Sequence, residues 1–377
     1  MKKLIIIFFI LLISITSISY AEDSVIEEQK QMIGISEFIN EANKYSNKNF
    51  GDMNEILNSA IKGEVDNLNI IKKLFNNITK EIKNTIKILG SVLVIIVVHS
   101  LIKSITESLQ NEGVSKIAYY VQYILIVTLI MTNFSEIIDL VKDTIQNLVG
   151  FINSLLPILL TLIIATGNIT TATTIQPIIL FAITFISNSI TYVVLPILLV
   201  STSLGIISKI SDKVQIDKLS KYFKSSIVWF LGIVLTLFVG IISIEGTLTS
   251  SVDGITAKTA KSVVSTLIPV LGKILGDSVE SVIGCANILK SAVGMVGVIV
   301  VISICVIPIT KVAILSMSYY LTSAIVQPIA DEKIVSLLEQ IGDTFKILLA
   351  ILFSISTMLI IGTTLIIKIS NSGLMYM

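Results

Sequence analysis

Charge is scarce in this sequence: Asp, Glu, Lys and Arg make up 14% of 377 residues, against about 25% in soluble globular domains. Arginine is absent, so every permanent cation is a lysine. The single histidine, His99, leaves no second imidazole for a catalytic or metal-binding pair. Two cysteines, Cys285 and Cys305, are too far apart for a CxxC motif. Neither a metal site nor a redox motif is indicated, and small packing residues are the plainer reading. Glycines occur without the lysine and helix entry that a phosphate-binding loop requires, as in SAVGMVGVIV at 291–300. Gly294 and Gly297 suit close helix packing instead. A formal net charge of +1 with no basic run gives no support for nucleic-acid binding. No cofactor is implied, and any ATP-driven step would belong to another subunit.

What fills the chain is apolar residues, 53% of the total. Residues 117–135, 225–244, 291–310, 312–330 and 347–367 carry no Asp, Glu, Lys or His. Each gap is about one bilayer long for a helix. A longer uncharged window runs between Asp143 and Lys209, enough for one to three crossings. The expectation is an all-α, polytopic integral membrane protein, with membrane lipid as its immediate partner.

The first 21 residues have Lys2 and Lys3, then LIIIFFILLISI, then small residues at Ser19 and Ala21. That order matches a secretory signal peptide, with an uncleaved anchor as the alternative. Either way, residues 22–83 form an exported helical segment. Its apolar stripe is Leu57, Ile61, Val65, Leu68, Ile71, Phe75, Ile78 and Ile82, spaced by three or four. Gly63 marks a break between a short helix and a longer one. The stripe reads as packing on its own neighbours or the membrane face rather than as a partner surface.

Orientation follows from lysine, because cytoplasmic loops collect positive charge. The loop KISDKVQIDKLSKYFK, 209–224, holds five Lys against two Asp and is expected inside. With the mature amino terminus outside, spans at 84–102, 117–134, 226–244, 292–310, 312–330 and 347–367, plus an odd number within the uncharged window, give seven or nine crossings. In this scheme the 331–346 loop faces outward, and the chain returns inside near Lys368.

Two prolines interrupt similar apolar runs: Pro157 in NSLLPILLTLII and Pro269 in STLIPVLGKIL. Proline removes an N–H and collides with the preceding turn. The segments 148–166 and 263–276 therefore read as short, broken, re-entrant or interfacial elements shielded by neighbouring helices. The offset of 112 from Pro157 to Pro269 recurs from Pro196 to Pro308, with VLPIL facing VIPIT. That pattern points to an internal duplication, with structural helix breaks at all four prolines. A rival offset of 151 pairs Pro157 with Pro308 and Pro177 with Pro328. The alternative to ancestry is kinked helices alone. The resulting division is 1–21 signal peptide, 22–83 exported segment, 84–134 first transmembrane hairpin, 135–250 repeat one and 251–377 repeat two.

Among polar candidates, Glu136, Asp139 and Asp143 share one helical face. A wet face of an interfacial helix explains them better than a cation site, since Lys142 interrupts the cluster. His99, near the inner end of the first span, is either a functional intramembrane group or a headgroup-level residue beside Lys103. No catalytic residue emerges, and the chain reads as a non-enzyme.

Longer phrases stand out: EGTLTSSVDGITAKTAKSVVSTLIPVLGKILGDSVESV at 245–282, KSAVGMVGV, QPIADEKIVSLLEQIGD, and VSKIAYYVQYILIV at 114–127. In these the chain resembles the stage III sporulation protein AE family of endospore-forming bacteria. The resemblance implies a component of the channel complex joining mother cell and forespore, placed in the mother-cell membrane around the forespore and needed for late forespore development. It implies as partners other proteins of the same operon, including a secretion-type ATPase and ring-forming membrane proteins. It carries over no catalytic residues. The competing function is an autonomous secondary transporter or uniporter of a small solute; coupled carriers place acidic groups within their spans, whereas these carboxylates gather at span borders.

Overall fold

The computed structural model describes residues 30–31, 33–46, 51–64, 112–210, 216–267 and 272–372, with isolated positions between 72 and 100; from 246 to 281 it describes the backbone alone. The signal segment, the stripe beyond Ile61, the 84–102 span with His99, and Pro269 lie outside the described residues.

Every element among the described residues is helical. Two short helices, α1 (Ile35–Tyr45) and α2 (Met53–Lys62), precede long rods: α3 (Glu112–Ala165), α4 (Ile169–Ser189), α5 (Leu195–Ile210), α6 (Asp217–Leu267), α7 (Gly272–Val326) and α8 (Glu332–Ser372). A π-turn, Ile190–Val194, joins α4 to α5 without a break in the rod. Five stretches are long and apolar enough to cross a bilayer: Tyr123–Ala165, Ile169–Lys209, Asp217–Glu245, Val282–Val326 and Glu332–Lys368. The protein is thus an all-α polytopic membrane protein.

The rods alternate in direction, and side-chain contacts set their heights. Near one end, the Tyr123 hydroxyl donates to the Ile206 carbonyl at 2.8 Å, and Thr202 meets Thr344 at 3.3 Å. Higher up, Phe134 packs edge-on to Phe345 with centroids 5.9 Å apart, and Phe345 stacks on Tyr319. Higher still, the Ser356 hydroxyl reaches Cys305 Sγ at 2.9 Å. A Cβ on Gly297 would stand 2.7 Å from Leu155 Cδ2, and Gly294 lies against Ile367. Both glycines therefore serve close approach of helices, as their spacing suggests. In the most apolar window of α7, 78% of the residues are buried, against 22% in α6. So α7 is the axis of the bundle and α6 lies on its periphery.

Several expectations change. Pro157 and Pro308 lie inside unbroken helices rather than at helix breaks. Pro157 and Asn153 are both exposed, so the carbonyl that loses its donor is on the outside of the bundle, while Thr161 Oγ1 bonds the Pro157 carbonyl at 2.9 Å. Residues 148–165 are the end of α3, not a re-entrant element. Pro196 follows the π-turn, where the Leu195 N–H bonds the Ile190 carbonyl five residues back. That wider turn absorbs the ring without ending the rod. Residues 292–310 and 312–326 lie in one helix, not in two spans, because Lys311 alone separates them and no turn residue intervenes.

Merging those spans reverses the sidedness of every later segment. The junction of α5 with α6 and the 327–331 turn lie at the same end of the bundle, as the Lys224 Nζ to Gln340 carbonyl bond of 3.0 Å requires. The 331–346 segment is mostly the start of α8 and not an outward loop, and Lys368 lies at the opposite end. The 112-residue offset pairs helices of like direction, whereas the 151 offset pairs α3 with α7, which run oppositely, as equivalent helices of an inverted repeat do. Unit edges at 134/135 and 250/251 fall inside α3 and α6.

Candidate functional site

Hydroxyl and amide groups concentrate where α5, α6 and α8 meet near the lysine-rich turn. Ser201 donates to the Ser220 carbonyl at 2.7 Å, and Ser220 returns the bond to the Ser201 carbonyl at 2.7 Å. Gln340 Nε2 donates to Ser220 Oγ at 3.4 Å. Its carboxamide occupies the space a Cβ on Gly205 would need, which explains a glycine at that point of α5. Thr344 donates to the Gln340 carbonyl at 2.9 Å while touching Thr202. Lys224, 9% exposed, runs its ammonium to the same carbonyl. The turn itself is closed by Lys209 to Asp217 at 2.7 Å, with Ser208 also donating to Asp217.

A second set ties α7 to α8: Ser316 to the Gly342 carbonyl at 3.0 Å, Tyr320 to Asp343 at 2.5 Å, and Ser323 to Glu339 at 3.4 Å. Backbone groups of a helix are already satisfied internally, so these side chains bond across helices instead. The seam joins neighbouring rods mainly through hydroxyl donors. Its chemistry is that of a pin, fixing four rods at one height.

At the other end, α1 and α2 dock on α3 and α7. Phe38 and Tyr45 pack against Phe151 with centroids 6.2 and 6.1 Å apart. Phe151 is 28 residues beyond Tyr123 on one helix, about 40 Å at 1.5 Å per residue. Helices α1 and α2 therefore sit far from the lysine-rich turn. Met53, Leu57 and Ala60 bury the inner face of α2; of the apolar stripe, the described residues are Leu57, buried, and Ile61, partly buried against the core. Gly63 ends α2 in a left-handed conformation (φ 74°), where a side chain would be strained. Asp52 caps the start of α2 through the Asn54 N–H at 3.0 Å and accepts from Asn43 at 2.9 Å. These bonds, the backbone one foremost, hold its carboxyl below the usual carboxylate value.

Other sequence candidates do not converge. Glu136, Asp139 and Asp143 are exposed on α3, with Lys142 at 3.7 Å from Asp139. Among the described residues no group of three or more His, Cys, Asp or Glu is arranged to hold a metal ion. Cys285 and Cys305 are buried and separate thiols. The seam residues were missed from sequence, as was Lys290, fully buried on α7 with its ammonium 2.8 Å from Asn287 Oδ1. The available signal was STSLG at 201–205, small and hydroxyl residues within an uncharged run.

Comparison with known proteins supplies what geometry does not. The family model described as stage III sporulation protein AE matches residues 51–370. Stage III sporulation protein AE of Bacillus subtilis (strain 168) is 30% identical over 305 residues, covering 81% of this chain and 76% of that protein. No solved structure matches.

Proposed function

The chain belongs to the stage III sporulation protein AE family, and from that premise we propose that it is a non-enzymatic membrane component of the channel complex linking mother cell and forespore. The family gives it a role in sporulation. The observation that carries the finer reading is length. Helices α3, α6 and α7 have 54, 51 and 55 residues, about 80 Å each, against a hydrocarbon core of about 30 Å. The bundle must project well beyond one membrane face.

Lysine placement puts the 209–224 turn in the cytoplasm. The projecting end, with α1 and α2 docked on it, then lies outside the mother-cell membrane, toward the forespore. A rigid, pinned bundle that presents small helices at that height suits a platform for ring-forming partners outside, while a secretion-type ATPase would act at the lysine-rich end. The test is reconstitution. Purified protein alone in liposomes is expected to pass no small solute and to capture the ring-forming operon proteins. Solute flux from the isolated protein would overturn the platform in favour of a transporter.

A further inference from the structure

The lipid-facing side of the bundle carries a groove of ≈ 390 Å³ between the π-turn region and α6. Its two walls are stripes at i, i+4, i+8: Ser189, Val193 and Ile197 on one rod, Tyr222, Ser226 and Phe230 on the other. The reciprocal Ser201–Ser220 bonds clamp the rods below it. Above the clamp, the π-turn shifts the helical register, leaving Val193 52% exposed on the wall. A second hollow adjoins it across the Tyr222–Ser226–Phe230 ridge and is walled by Trp229.

The mouth of this groove is basic. Lys218 stands one turn before Tyr222, and Lys221 one turn before Ser225, so both exposed ammonium groups lie on the faces of α6 that continue into the two hollows. Apolar walls alone would accept any acyl chain. Two lysines at the end nearest the membrane boundary select a negatively charged head, and an aromatic pair, Tyr222 and Trp229, brackets the level where head meets tail.

We propose that this groove is a binding site for an anionic phospholipid of the leaflet at the lysine-rich end, its phosphate between Lys218 and Lys221 and one acyl chain between the Val193 and Ser226 stripes. The lipid would fill the gap that the π-turn opens, and so complete the α5–α6 contact above the serine clamp.

Trp229 is the chain's one tryptophan, which makes the site directly readable. The full chain is reconstituted in phosphatidylcholine vesicles holding a small fraction of brominated phosphatidylglycerol, and in the reverse composition. Brominated phosphatidylglycerol is expected to quench Trp229 with an apparent affinity at least about fivefold higher than brominated phosphatidylcholine, a margin of the order one or two lysines provide. The margin should shrink with added salt and vanish in K218Q/K221Q. Ser226→Leu, which fills the groove, should reduce quenching by both lipids. Equal quenching in the wild-type protein, or a preference that survives K218Q/K221Q, would overturn the site; the wild-type comparison decides even where a variant does not fold.

Discussion

Ser220 gives the sharpest test of the polar seam. Replacing it with alanine removes its donation to the Ser201 carbonyl and the acceptor for Gln340 Nε2. Interhelical hydrogen bonds in membrane bundles average about 0.6 kcal/mol and reach about 1.7, and a buried amide left without an acceptor adds about 1 kcal/mol or more. Ser220→Ala is therefore expected to cost about 1.6 to 2.7 kcal/mol. Gln340→Leu removes the stranded amide together with Gln340 Oε1, which has no hydrogen-bond partner among the described residues. The double variant should then be less destabilised than the sum of the two singles, with a coupling of about 0.6 to 1.7 kcal/mol. Reversible unfolding of the full chain in mixed detergent micelles, followed by circular dichroism, measures all four corners of the cycle. Additivity to within about 0.3 kcal/mol would show that the two side chains do not share a bond that matters, and the seam would lose its standing as a pin.

Other outcomes rest on the same geometry. Gly297→Ala should destabilise by about 1 to 3 kcal/mol through overpacking on Leu155, and Leu155→Ala should restore much of the loss in the same unfolding assay. Single cysteines at Ile216 and Ile329 should label from one side of the membrane and Thr173→Cys from the other; labelling of Ile216 and Ile329 from opposite sides would restore separate spans at 292–310 and 312–330. Asp52→Ala should loosen α2 by about 1 kcal/mol, seen as faster proteolysis between residues 46 and 53. Because the folded Asp52 carboxyl lies below its ordinary value of 3.8, its stabilisation is present above that value and is lost as pH falls through the lower folded one. Protection of α2 should therefore decline only in strong acid, and a loss already complete near neutral pH would contradict the cap.

Uncharged runs of about twenty residues or more admit few environments, so membrane residence, helical class and the small-residue role of Gly294 and Gly297 were legible without coordinates. The capping of α2 by Gly63 was legible too, because glycine marks a local backbone demand. Prolines misled for a physical reason. A missing N–H is a local fact, but whether it ends a helix depends on what meets the freed carbonyl, and at Pro157 that carbonyl is on the exposed side while at Pro196 a π-turn absorbs the ring. The seam stayed hidden because Ser201, Ser220 and Gln340 come from three rods, and Gln340 stands over a hundred residues from Ser220.

By itself the sequence determined where the chain is apolar and which turn is lysine-rich, since transfer into lipid sums over residues one at a time. Tertiary structure alone decided how many times the rods turn back, that the α5–α6 junction and the 327–331 turn share an end, and which polar groups find each other. Those outcomes rest on pairwise contacts such as Lys224 with Gln340 and Phe134 with Phe345, and a pairwise energy exists only once both partners have been brought to the same height.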